Sequence, residues 1–96
     1  MKITVKGYFS LLKAIGGTSP IEVERPAATL REVLDELSRR FGAEFADSVY
    51  DYQKGEAAGH VLLMLNGRNY LSMPEGLETP LKEGDEISLF PPLAGG

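Results

Sequence analysis

Met1, Ile3 and Val5 fall on one face of a period-2 pattern and Lys2, Thr4 and Lys6 on the other. Successive side chains of an extended strand point to opposite faces, so this segment predicts a half-buried strand. Tyr8 to Ile15 is apolar without a clear period, and Gly16-Gly17-Thr18-Ser19-Pro20 interrupts it with turn-forming residues. Ile21 and Val23 then alternate with Glu22 and Glu24 in a second short strand closed by Arg25-Pro26. The two strands read as a hairpin with an irregular connection.

The period changes at Thr29. Thr29-Leu30-Arg31-Glu32 is a capping box, whose hydroxyl and carboxylate satisfy the free N–H groups of a helix start. Leu30, Val33, Leu34, Leu37 and Phe41 follow at helical spacing and predict one amphipathic helix over 30–41. Arg39 and Arg40 complement its C-terminal dipole, and Gly42 offers a left-handed terminating residue. Residues 43–59 scatter Phe45, Val49, Tyr50 and Tyr52 among charges and glycines, and read as a long surface loop or a short helical turn with a loop.

His60-Val61-Leu62-Leu63-Met64-Leu65 is an unbroken apolar run begun by a histidine, and it predicts a central strand buried on both faces. Asn66-Gly67 suits a type I′ turn, after which Arg68 to Leu71 starts a returning strand. Thr79 to Asp85 reads as a turn and Glu86 to Phe90 as the last strand, ended by Pro91, which has no N–H to continue a ladder. Strands on both sides of a single helix predict an α+β fold of the β-grasp type. Its mixed sheet has four to five strands, with one main helix packed on one face. The domain spans 1–90 and an extended tail 91–96.

Composition narrows the chemistry. A chain of 96 residues holds one domain. The absence of Cys excludes a disulfide scaffold, a thiol nucleophile and Cys-ligated zinc or iron–sulfur centres. His60 is the single histidine, a poor basis for a metal site or a catalytic triad, so no metal and no bound cofactor are expected. A net charge of -4 opposes binding to nucleic acid. No apolar run reaches membrane length, so a soluble, cytoplasmic protein with no membrane partner is expected.

The tail Phe90-Pro91-Pro92-Leu93-Ala94-Gly95-Gly96 carries the candidate chemistry. Gly95 and Gly96 lack Cβ atoms and are slender enough to thread a narrow channel, while Pro91 and Pro92 stiffen the base. A terminal carboxylate is ionised at neutral pH and a poor electrophile, so it needs activation from outside. Nothing here resembles a phosphate-binding loop that would let the chain activate itself.

The closing run Gly84-Asp85-Glu86-Ile87-Ser88-Leu89-Phe90-Pro91-Pro92 with its final Gly95-Gly96 resembles the end of the MoaD/ThiS group of ubiquitin-like sulfur carriers. Tyr8-Phe9-Ser10-Leu11-Leu12, the helix opening at Thr29 and Asn66-Gly67 match that group in order and approximate spacing. The resemblance spans the chain and is strongest to the small subunit of molybdopterin synthase. It implies that a ubiquitin-activating-type enzyme adenylates Gly96 at the expense of ATP, and that a thiocarboxylate follows. The thiocarboxylate then gives its sulfur to a pterin precursor inside the large synthase subunit. Gly95 is by the same resemblance the channel-fitting neighbour, and Phe9, Phe90, Pro91, Pro92, Leu93 and Ala94 face partners.

Phe9 and Phe90 each compete with a core role, since an aromatic beside a strand is commonly buried. Glu83, Asp85 and Glu86 read as a solvated turn, with pairing to basic partner residues as the other reading. Residues 43–59 and 71–78 are longer than in compact members of the group. Two further functions use the same tail: conjugation through Gly96 to lysines as a protein modifier, and sulfur transfer for thiamine or tRNA thiolation. A plain β-grasp interaction module with a passive tail is the remaining reading.

Overall fold

A computed structural model of the protein describes residues 1–58 and 60–92. The N-terminal alternation folds as strand β1, Lys2–Gly7, with Ile3 and Val5 fully buried. Strand β2, Ile21–Glu24, returns antiparallel to it, pairing Val5 with Ile21 and Lys2 with Glu24. The apolar stretch between them, whose period gave no element, is a 3-10 helix, Phe9–Ile15, that buries Leu11, Ala14 and Ile15.

Helix α1 spans Leu30–Phe41, and both halves of its capping box form. Glu32 N–H donates to Thr29 Oγ1 at 3.2 Å and Thr29 N–H to Glu32 Oε1 at 2.8 Å. Leu30, Val33, Leu34 and Leu37 are fully buried, so the predicted stripe is the face laid on the sheet. Gly42 ends the helix at φ 65° and ψ −142°, outside the left-handed helical region, because it also opens the next helix. Residues after it are not an open loop. Helix α2, Ala43–Ser48, and the hairpin of β3, Tyr50–Asp51, with β4, Glu56–Ala57, pack onto α1 and bury Phe45, Val49 and Tyr50.

Strand β5 is Leu62–Leu65, so His60 precedes the strand instead of starting it, and lies exposed in a turn. Leu63 and Leu65 are buried while Leu62 and Met64 face outward, so β5 covers the core with one face only. Asn66 and Gly67 take φ values of 51° and 80°, as the predicted turn requires. They return the chain into the short strand β6, Arg68–Asn69, and residues 70–78 follow with two 3-10 turns. Strand β7, Glu86–Phe90, ends the described fold before Pro91 and Pro92.

The sheet runs β2-β1-β7-β5-β6. β1 and β7 are parallel and every other pairing is antiparallel, which makes it a mixed five-stranded sheet with α1 on one face, as β-grasp topology demands. No helix of the described residues is long and apolar enough to cross a membrane.

Arg31 ties the helical layer together. Its guanidinium donates to Tyr50 Oη at 3.1 Å, to the Gly55 carbonyl at 2.8 Å, and to the Glu78 carboxylate. Glu78 first and Tyr50 second raise the Arg31 pKa above its ordinary value. Burial is the main cause raising that of the Tyr50 phenol, with the nearby Asp35 carboxylate adding to it and the Arg31 guanidinium opposing it. The folded chain therefore holds the Tyr50 proton to higher pH than the unfolded chain does. That contribution is complete below the ordinary value of 10.0 and is lost as pH rises from there through the folded pKa. Urea titrations from neutral pH into the alkaline range should show stability falling across that window, and Tyr50→Phe should flatten the fall.

Candidate functional site

Parallel pairing of β1 and β7 sends both strands out of the sheet at the same end. Gly7 stands opposite Leu89, so the residues after Gly7 and the tail after Phe90 emerge side by side. β5 runs antiparallel to β7 and pairs Leu62 with Phe90, which brings the start of β5 to that end as well.

Gly7 makes the crossing possible. A Cβ there would lie 2.7 Å from the Leu11 carbonyl oxygen and 3.1 Å from Ile15 Cδ1, so only glycine lets the 3-10 helix fold back so closely. Its N–H donates to Ser19 Oγ at 3.1 Å. Tyr8 is then held on both sides: its N–H donates to the Leu89 carbonyl at 3.0 Å, and its carbonyl accepts from Leu11 N–H at 3.0 Å.

Phe9 follows at φ 55°, a conformation that a bulky side chain adopts only under constraint. It is 80% exposed, which removes the core reading and leaves a large apolar ring in solvent. Phe90 lies half-buried on the sheet face opposite α1, with its ring stacked on that of Tyr8 at a centroid distance of 4.4 Å and an interplanar angle of 6°. Leu62, its cross-strand neighbour, is 39% exposed. Tyr8, Phe90 and Leu62 form an apolar platform where the tail leaves, with Phe9 beside it in the chain. Pro91 is half-buried and Pro92 exposed, while Leu93, Ala94, Gly95 and Gly96 lie outside the described residues.

The acidic residues sit elsewhere. Asp85, at the opposite end of β7, is 7% exposed, and its carboxylate accepts from Asn66 Nδ2 at 3.0 Å and from Lys82 N–H at 2.8 Å. Asn66 Oδ1 in turn accepts from Glu86 N–H at 2.9 Å. Glu83 accepts from Lys2 N–H at 3.1 Å, and Glu86 pairs with Lys6 at 3.2 Å. Asp85 thus closes the β5–β7 end of the sheet from a buried position, while Glu83 stays exposed in the turn, as the solvated reading has it, and Glu86 is only partly covered.

An open surface depression of about 300 Å3, lined by Asp47, Asp51, Lys54 and Glu56 among others, contains none of the platform residues. Its polar rim and open shape give it no apolar anchor for a ligand. Among the described residues, no three His, Cys, Asp or Glu side chains are grouped to hold a metal ion.

The chain matches the ThiS family over residues 7–96. It belongs to that family of ubiquitin-like sulfur carriers. The protein is 29% identical to the small archaeal modifier protein 3 of Haloferax volcanii, over 96 residues covering all of both chains. It is 32% identical over 89 residues to the molybdopterin synthase sulfur carrier subunit of Haemophilus influenzae, covering 93% of this chain and 94% of that one. The crystal structure of SAMP1 from Haloferax volcanii superposes with a TM-score of 0.76 at 27% identity over the full length of both chains. The β-grasp fold of this ThiS-family protein is therefore shared with known relatives.

Gly7, Tyr8 and Leu62 belong to the candidate site, and the sequence reading did not single them out. A signal existed for Tyr8, which continues the outward series Lys2, Thr4, Lys6. Leu62 was hidden inside an apolar run. Thermal melts should separate the supporting residue from the displayed one. Gly7→Ala should destabilise by about 1–3 kcal/mol, because the new methyl meets main chain that cannot yield. Phe9→Asn should leave stability within about 0.5 kcal/mol of the parent, since asparagine tolerates positive φ and no packing is lost.

Proposed function

We propose that this ThiS-family protein is the sulfur-carrier small subunit of a molybdopterin synthase, acting through the carboxylate of Gly96. The observation that carries the reading is the junction of an exposed apolar platform with the exit of β7. A partner that docks on Phe9, Tyr8 and Phe90 meets the base of the tail at once. The name of the Haemophilus influenzae relative supports the pathway.

The chemistry divides between the chain and its partners. A Gly96 carboxylate oxygen attacks the α-phosphorus of ATP in the site of a ubiquitin-activating-type enzyme, and pyrophosphate leaves as the acyl-adenylate forms. A hydrosulfide-equivalent donor then makes the carbon–sulfur bond while AMP departs, giving the thiocarboxylate. Inside the large synthase subunit the thiocarboxylate sulfur attacks an electrophilic carbon of the pterin precursor and an oxygen leaving group departs from that carbon. Water cleaves the acyl–sulfur bond and regenerates the Gly96 carboxylate. This chain supplies docking and delivery, and Pro91 and Pro92 stiffen the base of the tail that ends at Gly96. ATP is used by the activating partner, and the cytoplasm is where these reactions are placed.

The Haloferax volcanii relative, named a modifier protein, favours a second reading in which activated Gly96 is transferred to lysine side chains. Intact-mass measurement with the activating enzyme, ATP and a sulfide source tests the shared first half. The expected gain equals the replacement of one oxygen by sulfur, and it should vanish on deletion of Gly96 or addition of one residue after it. Sulfur acquisition by the truncated chain would sink the terminal-carboxylate mechanism. Phe9→Asn should weaken association with the partner at least about tenfold while leaving the fold intact. Release of sulfur to the pterin precursor by the loaded protein with a large subunit supports the synthase role, whereas tail remnants on cellular lysines support the modifier role.

A further inference from the structure

We infer that Tyr8 is the positioning residue of the tail: its ring, laid flat on Phe90, sets the direction in which Pro91 and Pro92 leave the sheet. The inference rests on the carrier reading above and assigns a role to a residue that makes no covalent contribution to it.

β7 loses its means of alignment at the point where direction matters. Phe90 is the last residue of the strand, and the following Pro91 has no N–H with which to continue the ladder. Main-chain pairing reaches Leu89 on the β1 side, through Tyr8 N–H, and Phe90 on the β5 side, opposite Leu62. Beyond that only side chains hold the strand end. Among the described residues, the aromatic contact at this end is the Tyr8–Phe90 stack, at 4.4 Å and nearly parallel.

Tyr8 is the fixed member of the pair. Its backbone is extended, at φ −111° and ψ 145°, and both its N–H and its carbonyl are engaged. Gly7 before it sits in a space that admits no Cβ, and the 3-10 helix after it buries Leu11, Ala14 and Ile15 in the core. Phe90, by contrast, leads into the tail. Rotation about Phe90 φ carries Pro91 and the Phe90 ring together, so the loss of stacking on Tyr8 resists it, while the proline ring that follows restricts Phe90 ψ to extended values. The contact is ring on ring, so phenylalanine should serve at position 8.

Orientation acts on the reaction within a docked complex more than on docking itself, and this separates the positioning role from a plain interface contact. The test is ATP–pyrophosphate exchange by the activating enzyme, with this protein as the varied substrate and melts confirming that each variant is folded. Tyr8→Ala, and Tyr8→Leu as a bulk-retaining second variant, should lower kcat about twofold to tenfold, over and above any rise in KM from the docking surface that Tyr8 shares. Tyr8→Phe should restore the parent value. In NMR spectra, Phe90 ring protons should show an upfield ring-current shift in the parent and Tyr8→Phe, lost in the other two variants. Parent-like kcat in Tyr8→Ala and Tyr8→Leu, or an effect confined to KM, would overturn the inference and leave the carrier reading standing. Exchange supported equally by the chain lacking Gly96 would remove the carrier reading and the inference together.

Discussion

The parallel ladder between β1 and β7 is the interaction on which the rest of the molecule depends. It joins Thr4 to Glu86 and Gly7 to Leu89, residues from the two ends of the chain, in the middle of the sheet. Such non-local pairing forms only after the intervening segments have been ordered, and here β5 on the far side of β7 and the α1 layer over both strands supply the compensating burial. The consequence is mechanical. The strand that carries the tail is hydrogen-bonded along both edges, so the tail is presented only by a folded domain and pulling on it loads the centre of the sheet.

Helix α1 was legible because several local signals agreed. The capping box, the apolar stripe and the terminal arginines each pointed to residues 30–41, and tertiary packing had nothing to override. β5 failed for an informative reason. An unbroken apolar run ordinarily means a strand covered on both faces, yet Leu62 and Met64 face outward. Their apolar character belongs to the outer surface beside Phe90 and not to the core, so an apolar run here does not report burial on both faces. Residues 43–58 were illegible for another reason. Phe45, Val49 and Tyr50 enter the core at irregular spacing, and Arg31, fixed from another element, organises the hairpin around them.

At the candidate site the sequence could name the parts but not their sides. Phe9 and Phe90 were read equally as core or surface, and nothing short of the backbone conformation decides it. Phe9 turns outward because Gly7 and the buried face of the 3-10 helix force the chain into positive φ at that residue. Asp85 went the other way. It looked solvated among neighbouring charges, but the Asn66 amide and the Lys82 N–H provide the partners that burial of a carboxylate requires. Gly95 and Gly96 were legible only as composition and resemblance.

The two ends of the β5–β7 pair thus divide the work. One end is closed by the Asp85–Asn66 hydrogen bonds and the tight turn, and its polar groups are satisfied internally. The other leaves Phe9 and part of Leu62 in water beside a strand that stops at proline. An exposed apolar surface costs solubility and gains nothing for the isolated fold, so its placement at the tail exit is intelligible only through association. A terminal carboxylate is chemically commonplace, since every chain end carries one. On the carrier reading proposed above, selectivity between this tail and any other resides in the platform that presents it, and the sheet is what holds that platform rigid.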